Sequence, residues 1–378
     1  MPIMKAQSDI CCIFNIGPHY REPIYQAIAN QFHCDYYFGD RVNTKIKKLD
    51  YNTLPGFRKE LKRLNFAKDF YWQRGAGRLF FKPYKTYIVT GEPFCLSTWV
   101  LAILCKFTRK KCIAWTHGWY GKETGIKRFI KKTFFKLFSH ILTYNEYTIP
   151  LLEKEGFKKT KITCIANSLD SHRQLEIRKR LQKTDIFTEH FNNDNPVILY
   201  CGRIQKVKKL EMILDSAKSL LENGTPVNVV FVGKDDENVN LENYSKELGI
   251  ADNVWMYGPC YDEEKLGEIF YNSAVCVSPG NVGLTAIHSL TFGCPVVTHD
   301  NFTMQMPEFE AIKEGVTGSF FKEDDMEDLA SKIGVWIAKD AEDRELARTE
   351  AFREIDRKWN VDTQVETLKG VLKKINLK

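Results

Sequence analysis

The chain has 378 residues, of which 43% are hydrophobic and 27% charged. These proportions exclude a disordered or low-complexity protein, and the length suits two domains of about 150 to 200 residues each. The net charge of +7 hides an uneven split: residues 1–190 hold 34 Lys and Arg against 16 Asp and Glu, while residues 191–378 hold 21 against 32. A basic first half is expected to meet something anionic, such as lipid headgroups, a pyrophosphate-linked substrate or nucleic acid. The 11 cysteines are dispersed, with no CxxC and no His/Cys cluster at zinc spacing, and read as reduced thiols. No apolar run reaches membrane-spanning length. The start MPIMKAQSDICCIFNIG has no signal-peptide core, so a cytoplasmic location is expected.

In chain order, Ile10 to Ile16 reads as a buried strand, broken by Gly17-Pro18, with helical spacing from Tyr20 to Phe32. Residues 40–80 are basic and aromatic and read as a hairpin or an insertion. Short apolar runs then alternate with helical patterns: TYIVTG at 86–91, LSTWVLAILCKF at 96–107, KCIAWTHG at 111–118, SHILTYN at 139–145 and KITCIANS at 161–168. Polar LQKTDIFTEHFNNDNP (181–196) reads as a linker. A second series follows, with strands at 197–204, 227–234, 253–258, 274–280, 294–300 and 318–321 and helices expected at 207–222, 240–249, 262–271 and 283–292. Such alternation predicts two α/β domains with parallel sheets facing a central cleft. The expected boundaries are 1–185, 186–360 and a C-terminal helix, 361–378, packing back on the first domain. Ligands of such sheets bind beyond the carboxyl ends of the strands.

Two stretches in the second half carry phosphate chemistry. In YCGRIQKVKKLEMIL, a strand ends at Gly202, Arg203 follows, and Lys208 stands five residues on, where a helix is expected to open. A planar fork, a point charge and helix N–H groups together suit a diphosphate; a basic surface turn would look the same. In SPGNVGLTAIHSLTFGCPVV, Gly280 and Gly283 let backbone approach a ligand, and a helix start faces the same place. Neither the loop nor the first turns carry a carboxylate, and His288 stands on the helix.

The order of GRIQKVKKLEMIL, VVFVGK, NVWMYGPCYDEEKLGEIFYNSAVCVSPG, GLTAIHSLTFGCPVV and EGVTGSFF resembles the GT4 family of retaining glycosyltransferases of GT-B fold. The resemblance covers the second domain and extends more loosely over the first through HGWYG and KITCIANSLD. It implies a nucleotide-diphosphate sugar as donor and no resident cofactor or metal. It places Arg203 and Lys208 on the donor diphosphate, and His117, after a first-domain strand, near donor sugar and acceptor. By the same resemblance Gly17 and Gly202 let backbone approach the diphosphate. Tyr257 to Cys260 would border the base, and Gly280, Asn281, Val282, Gly283 and Leu284 would form the donor loop. The family's two loop glutamates fall on Gly280 and His288, so both are missing. His288 retains the capacity to bond a ribose hydroxyl, and Glu308 or Glu310 is a possible source of a lost carboxylate.

The acceptor implied is a polyprenyl-diphosphate-linked saccharide of bacterial surface polysaccharide, capsule, O-antigen or lipopolysaccharide. The alternative is a degenerate protein that binds a sugar nucleotide or a partner without turnover. GIKRFIKKTFFKLFSH (125–140) reads as a basic amphipathic helix suited to an anionic bilayer, or as a core helix with a solvated basic face. A peripheral location on the inner face of the plasma membrane is therefore expected. No helix-turn-helix, zinc or RNA-binding signature supports a nucleic-acid partner. KDDEN (234–238) reads as a solvated acidic loop rather than a metal site.

Overall fold

A computed structural model describes residues 8–42, 47–66 and 69–376. The chain divides into two compact units, one of Met1–Asp170 with Asn360–Lys378 and one of Ser171–Trp359. The strands are Ile10–Phe14 (β1), Asp35–Gly39 (β2), Phe57–Leu61 (β3), Arg63–Asn65 (β4), Tyr71–Gln73 (β5), Thr86–Thr90 (β6), Lys111–Thr116 (β7), His140–Thr143 (β8), Ile162–Cys164 (β9), Val197–Cys201 (β10), Asn228–Val232 (β11), Val254–Gly258 (β12), Val275–Ser278 (β13), Val296–His299 (β14) and Gly318–Phe321 (β15).

The first unit holds a seven-stranded sheet in the order β3-β2-β1-β6-β7-β8-β9, with every pairing parallel. Alternate residues of β1 point to opposite faces. Cys12 and Phe14 join a core under helices Glu22–Phe32 and Val361–Asn376. Cys11 and Ile13 join the other, with Phe134, Phe135 and Phe138. The expected insertion at 40–80 is partly sheet: β3 extends the main sheet, and β4 and β5 form an antiparallel pair. Helix Val361–Asn376 is fixed to the first unit by its apolar stripe of Val361, Leu368, Val371, Leu372 and Ile375. Its buried Gln364 donates to the Ala166 carbonyl at 3.0 Å and accepts from the Ser168 hydroxyl at 2.5 Å.

The second unit holds a six-stranded parallel sheet, β12-β11-β10-β13-β14-β15. Counted from β10, this is the doubly wound order 3-2-1-4-5-6, whose direction of winding reverses between β10 and β13.

Three expectations need correction. The boundary lies at 170/171, not 185/186, and 181–196 is no free linker. Helix Ile186–Phe191 buries Phe187 in it, and the Thr184 N–H donates to Asn272 Oδ1 at 2.9 Å, which ties the segment to the second unit. The helix expected from 207 begins at Glu211, after a 3₁₀ turn Lys206–Lys208 and Lys209 in the left-handed region at φ +52°. The basic helix ends at Phe135, and its aromatic stripe is core: Phe134, Phe135 and Phe138 are buried, while Ile126 and Phe129 are 69% and 65% exposed. Arg128 and Lys132 pair with Glu155, and Lys131 pairs with Glu123. Among the described residues no helix is long and apolar enough to cross a membrane.

Candidate functional site

The loops that follow β10 and β13 flank the switch point of the second sheet, where a crevice opens because successive connections leave on opposite faces. Gly202 and Arg203 follow β10. Gly202 has φ +151°, and its N–H donates to the Val232 carbonyl. The Arg203 guanidinium is exposed and has no ion-pair or hydrogen-bond partner among the described residues, although its carbonyl accepts from the Tyr200 hydroxyl at 2.8 Å. Lys208 lies in the 3₁₀ turn beyond. Its Nζ donates to the carbonyl and to Oδ1 of Asn281, at 2.6 and 2.7 Å.

Burial pushes the Lys208 ammonium down to about 8, the Arg203 charge pushes the same way, and Glu308 opposes both. The unfolded chain holds this proton more tightly than the folded one. The ammonium therefore costs stability at neutral pH, and stability returns as pH rises from about 8 towards the ordinary lysine value. The site thus keeps two cations close together at some cost in stability and fills the space with no carboxylate in direct contact. That is the electrostatic design of an anion site.

The loop after β13 is tightly held. The Gly280 N–H donates to the Lys208 carbonyl at 2.9 Å. The Val282 N–H donates to Gln305 Oε1 at 2.7 Å, and Gln305 in turn bonds Thr298 Oγ1 and the His299 carbonyl. Those two amides are engaged within the fold. Asn281 is likewise engaged, with Lys208. The first turn of helix Leu284–Thr291 remains to supply N–H groups. Gly283 is its N-cap, and Thr285 anchors the turn to β10 through the Cys201 carbonyl at 2.9 Å.

Gly280 is glycine for a steric reason. A Cβ there would lie 2.3 Å from the Val207 carbonyl oxygen and 2.8 Å from Lys208 Cα. No glutamate fits at 280 while the Lys208 turn stays where it is. Among the possible carboxylate sources, Glu310 is paired with Lys358 at 2.8 Å. Glu308 is 3% exposed, and its charge favours protonated Lys208.

His288 also differs from the reading of a side chain offered to ribose. Its Nε2 lies 2.8 Å from Glu263 Oε1, and Gln174 donates to the same oxygen at 2.6 Å. Phe270 and Phe292 pack on the ring at 4.9 and 5.5 Å. The His288 and Gln174 bonds hold the Glu263 carboxyl below the ordinary glutamate range although burial acts against them. Glu263 opens helix Glu263–Asn272 behind the N-cap Asp262. Sequence gave no sign of it, because a glutamate in the first turn of a helix is commonplace.

At the end of β12, the Tyr257 ring lies tilted against Trp255 at 4.9 Å, and Cys260 is half-buried. In the KDDEN loop, Asp235 accepts from the N–H groups of Glu237, Val239 and Asn240, which is turn chemistry.

In the first unit, Gly17 serves packing rather than a diphosphate. Its N–H donates to the Tyr51 hydroxyl at 3.0 Å, and a Cβ would lie 2.7 Å from the Tyr51 ring. His117, after β7, packs at 4.9 Å on Tyr144. Burial, with Arg21 and Lys131 nearby, pushes it down to about 4, so it is neutral at physiological pH.

Residues 182–354 match the family of glycosyl transferases group 1. The matched residues lie within the second unit. Two solved structures share the fold over nearly the whole chain. A glycosyltransferase from Rickettsia africae has a TM-score of 0.74 at 15% identity, covering 98% of this chain and 99% of that one. Anabaena Alr3699/HepE in complex with UDP has a TM-score of 0.72 at 14% identity, covering 97% and 100%. The fold is GT-B.

Among curated proteins, alpha-D-kanosaminyltransferase of Streptomyces kanamyceticus is 24% identical over 191 residues, 49% of this chain and 47% of that protein. D-inositol 3-phosphate glycosyltransferase of Nocardiopsis dassonvillei is 26% identical over 163 residues, 40% and 37% respectively. The matched segments thus span less than half of each relative.

Gly280→Ala tests the packing of the donor loop. It should lower stability by about 1–3 kcal/mol in urea unfolding, because a methyl group must displace backbone. An unchanged midpoint would mean that the two loops separate freely.

Proposed function

We propose that the chain is a retaining glycosyltransferase that moves a sugar from a nucleotide-diphosphate donor to a lipid-linked saccharide in bacterial surface polysaccharide assembly. The observation that carries the donor half is the pair of cations at the switch point, exposed Arg203 without a partner and half-buried Lys208. An ammonium has three protons. Two of those on Lys208 are held by Asn281, and the third is left for a phosphate oxygen. Arg203 adds a bidentate fork. Both would stabilise the charge that grows on the departing diphosphate. A solved neighbour that holds UDP and glucose supports a nucleotide donor, and a lipopolysaccharide outer core galactosyltransferase of the same fold supports the acceptor class.

The ribose contact, in this reading, belongs to the His288–Glu263 pair rather than to His288 alone: the carboxylate arrives from another helix. His117 serves the acceptor as a neutral imidazole. No metal or resident cofactor has a role in this reading. A non-catalytic binder of sugar nucleotides is favoured by one observation, the steric exclusion of any side chain at Gly280; donor turnover separates the two.

Arg203→Ala should abolish transfer and weaken nucleoside-diphosphate binding about tenfold or more. Its melting temperature should stay within about 2 °C of wild type, as for an exposed surface substitution. Unchanged turnover would remove the diphosphate role.

Contact with an anionic membrane is proposed through Ile126 and Phe129, which are exposed beside Lys127. Co-sedimentation with vesicles of phosphatidylglycerol and phosphatidylethanolamine should be salt-sensitive and should fall when both residues become Ser. Equal sedimentation of variant and wild type would move the contact elsewhere.

A further inference from the structure

The first unit holds a second concentration of unpaired donors that the donor site does not explain. Arg21, in the turn after β1, is 8% exposed. Its guanidinium carbon lies 5.2 Å from the Trp115 ring and 4.8 Å from the Tyr144 ring. No carboxylate pairs with it among the described residues; the tyrosines around it are its electrostatic partners. Two further polar atoms nearby are shut from solvent without a hydrogen-bond partner, Trp115 Nε1 and His117 Nδ1. Trp115 stands near the end of β7, and His117 directly follows the strand. Tyr144, at the end of β8, meets all three: Arg21, His117 at 4.9 Å and Trp115 at 6.2 Å.

A buried cation without a counter-charge and two unused buried ring nitrogens are each costly. Finding them together, at the carboxyl ends of β1, β7 and β8, is hard to explain as packing alone. Cation–π contact with two rings and a hydrogen bond to the Tyr25 hydroxyl offset part of the cost, but one hydroxyl leaves most of the five N–H groups of the fork for another acceptor. A single oxyanion would satisfy them: it accepts from Arg21 and from the indole N–H, and from His117 in the tautomer protonated at Nδ1.

We infer that Arg21, Trp115 and His117 form an oxyanion-binding site in the first unit, which recognises a phosphate or carboxylate borne by the acceptor. This rests on the reading that the first unit receives the acceptor, and it narrows that acceptor to an anionic one. The other source of the same chemistry is the diphosphate of the donor, and the test separates them.

Inorganic phosphate is titrated calorimetrically into the full chain. Arg203→Ala, which lacks the donor-site fork, should lose one class of phosphate site and keep the other, and the Arg21 variants are made in that background. Arg21→Gln should lose about tenfold or more in affinity, and Arg21→Lys should keep part of it as a point charge. Bound phosphate should also raise the titration midpoint of His117, read by NMR, from about 4, because it offsets the Arg21 charge. Without phosphate, Arg21→Gln should lose the Tyr25 hydrogen bond and the two ring contacts but melt within about 5 °C of wild type. Equal phosphate affinity in Arg203→Ala with and without Arg21→Gln would overturn the proposal. So would loss of all binding in Arg203→Ala, which would assign the anion to the donor site, or a drop in melting temperature of more than about 5 °C in Arg21→Gln, which would mark a packing residue. None of these readouts involves donor turnover, so they stand or fall separately from the Arg203 test.

Discussion

The second unit is organised around one bond pair, the grip of Asn281 on the Lys208 ammonium. The turn that carries Lys208 follows β10, and the loop that carries Asn281 follows β13, so the grip closes the switch point of the sheet. The bond from Gly280 N–H to the Lys208 carbonyl seals the same seam from the backbone side. Everything nearby yields to this contact. Gly280 must lack a side chain, Lys209 must adopt a positive φ, and Gln305 must brace the loop from β14. The cost is a half-buried ammonium. Arg203 adds to that cost because it has no carboxylate of its own. A site that holds both cations close together, with no ion pair to either among the described residues, suits an anion.

The two positions where the resemblance implies glutamates, Gly280 and His288, have two different physical settings. At 280 the Lys208 turn occupies the space, so the residue is glycine by exclusion. At 288 a histidine stands on the helix, and Glu263 reaches it from another helix and holds its ring in place. Both settings concern the geometry of neighbouring elements.

That difference marks what sequence could reveal. The two doubly wound sheets were legible because apolar runs at 197–204, 227–234 and 274–280 alternate with helical spacing at short intervals. Arg203 and Lys208 were legible because they follow a strand end. The 170/171 boundary was not, since LQKTDIFTEHFNNDNP is polar enough to pass for a linker while one Phe anchors it. The role of residues 125–140 was half legible. Their spacing gave an amphipathic helix, but only tertiary packing decides that Phe134, Phe135 and Phe138 face the core. Arg21, with His19 and Tyr20, was legible as an acceptor candidate because it follows the first strand, whereas the contacts of Glu263 and Trp115 were not, because their partners lie far away in sequence.

The most direct test of the Lys208 account is the pH dependence of nucleoside-diphosphate affinity between pH 7 and 9, in wild type and Lys208→Arg. The free protein loses the Lys208 proton near pH 8, and the bound anion holds it. Binding above pH 8 must therefore take up a proton, and affinity should fall by up to about tenfold per pH unit there. Arginine stays charged throughout, so the fall should vanish in the variant. A flat wild-type profile, or a fall that persists in Lys208→Arg, would contradict the account.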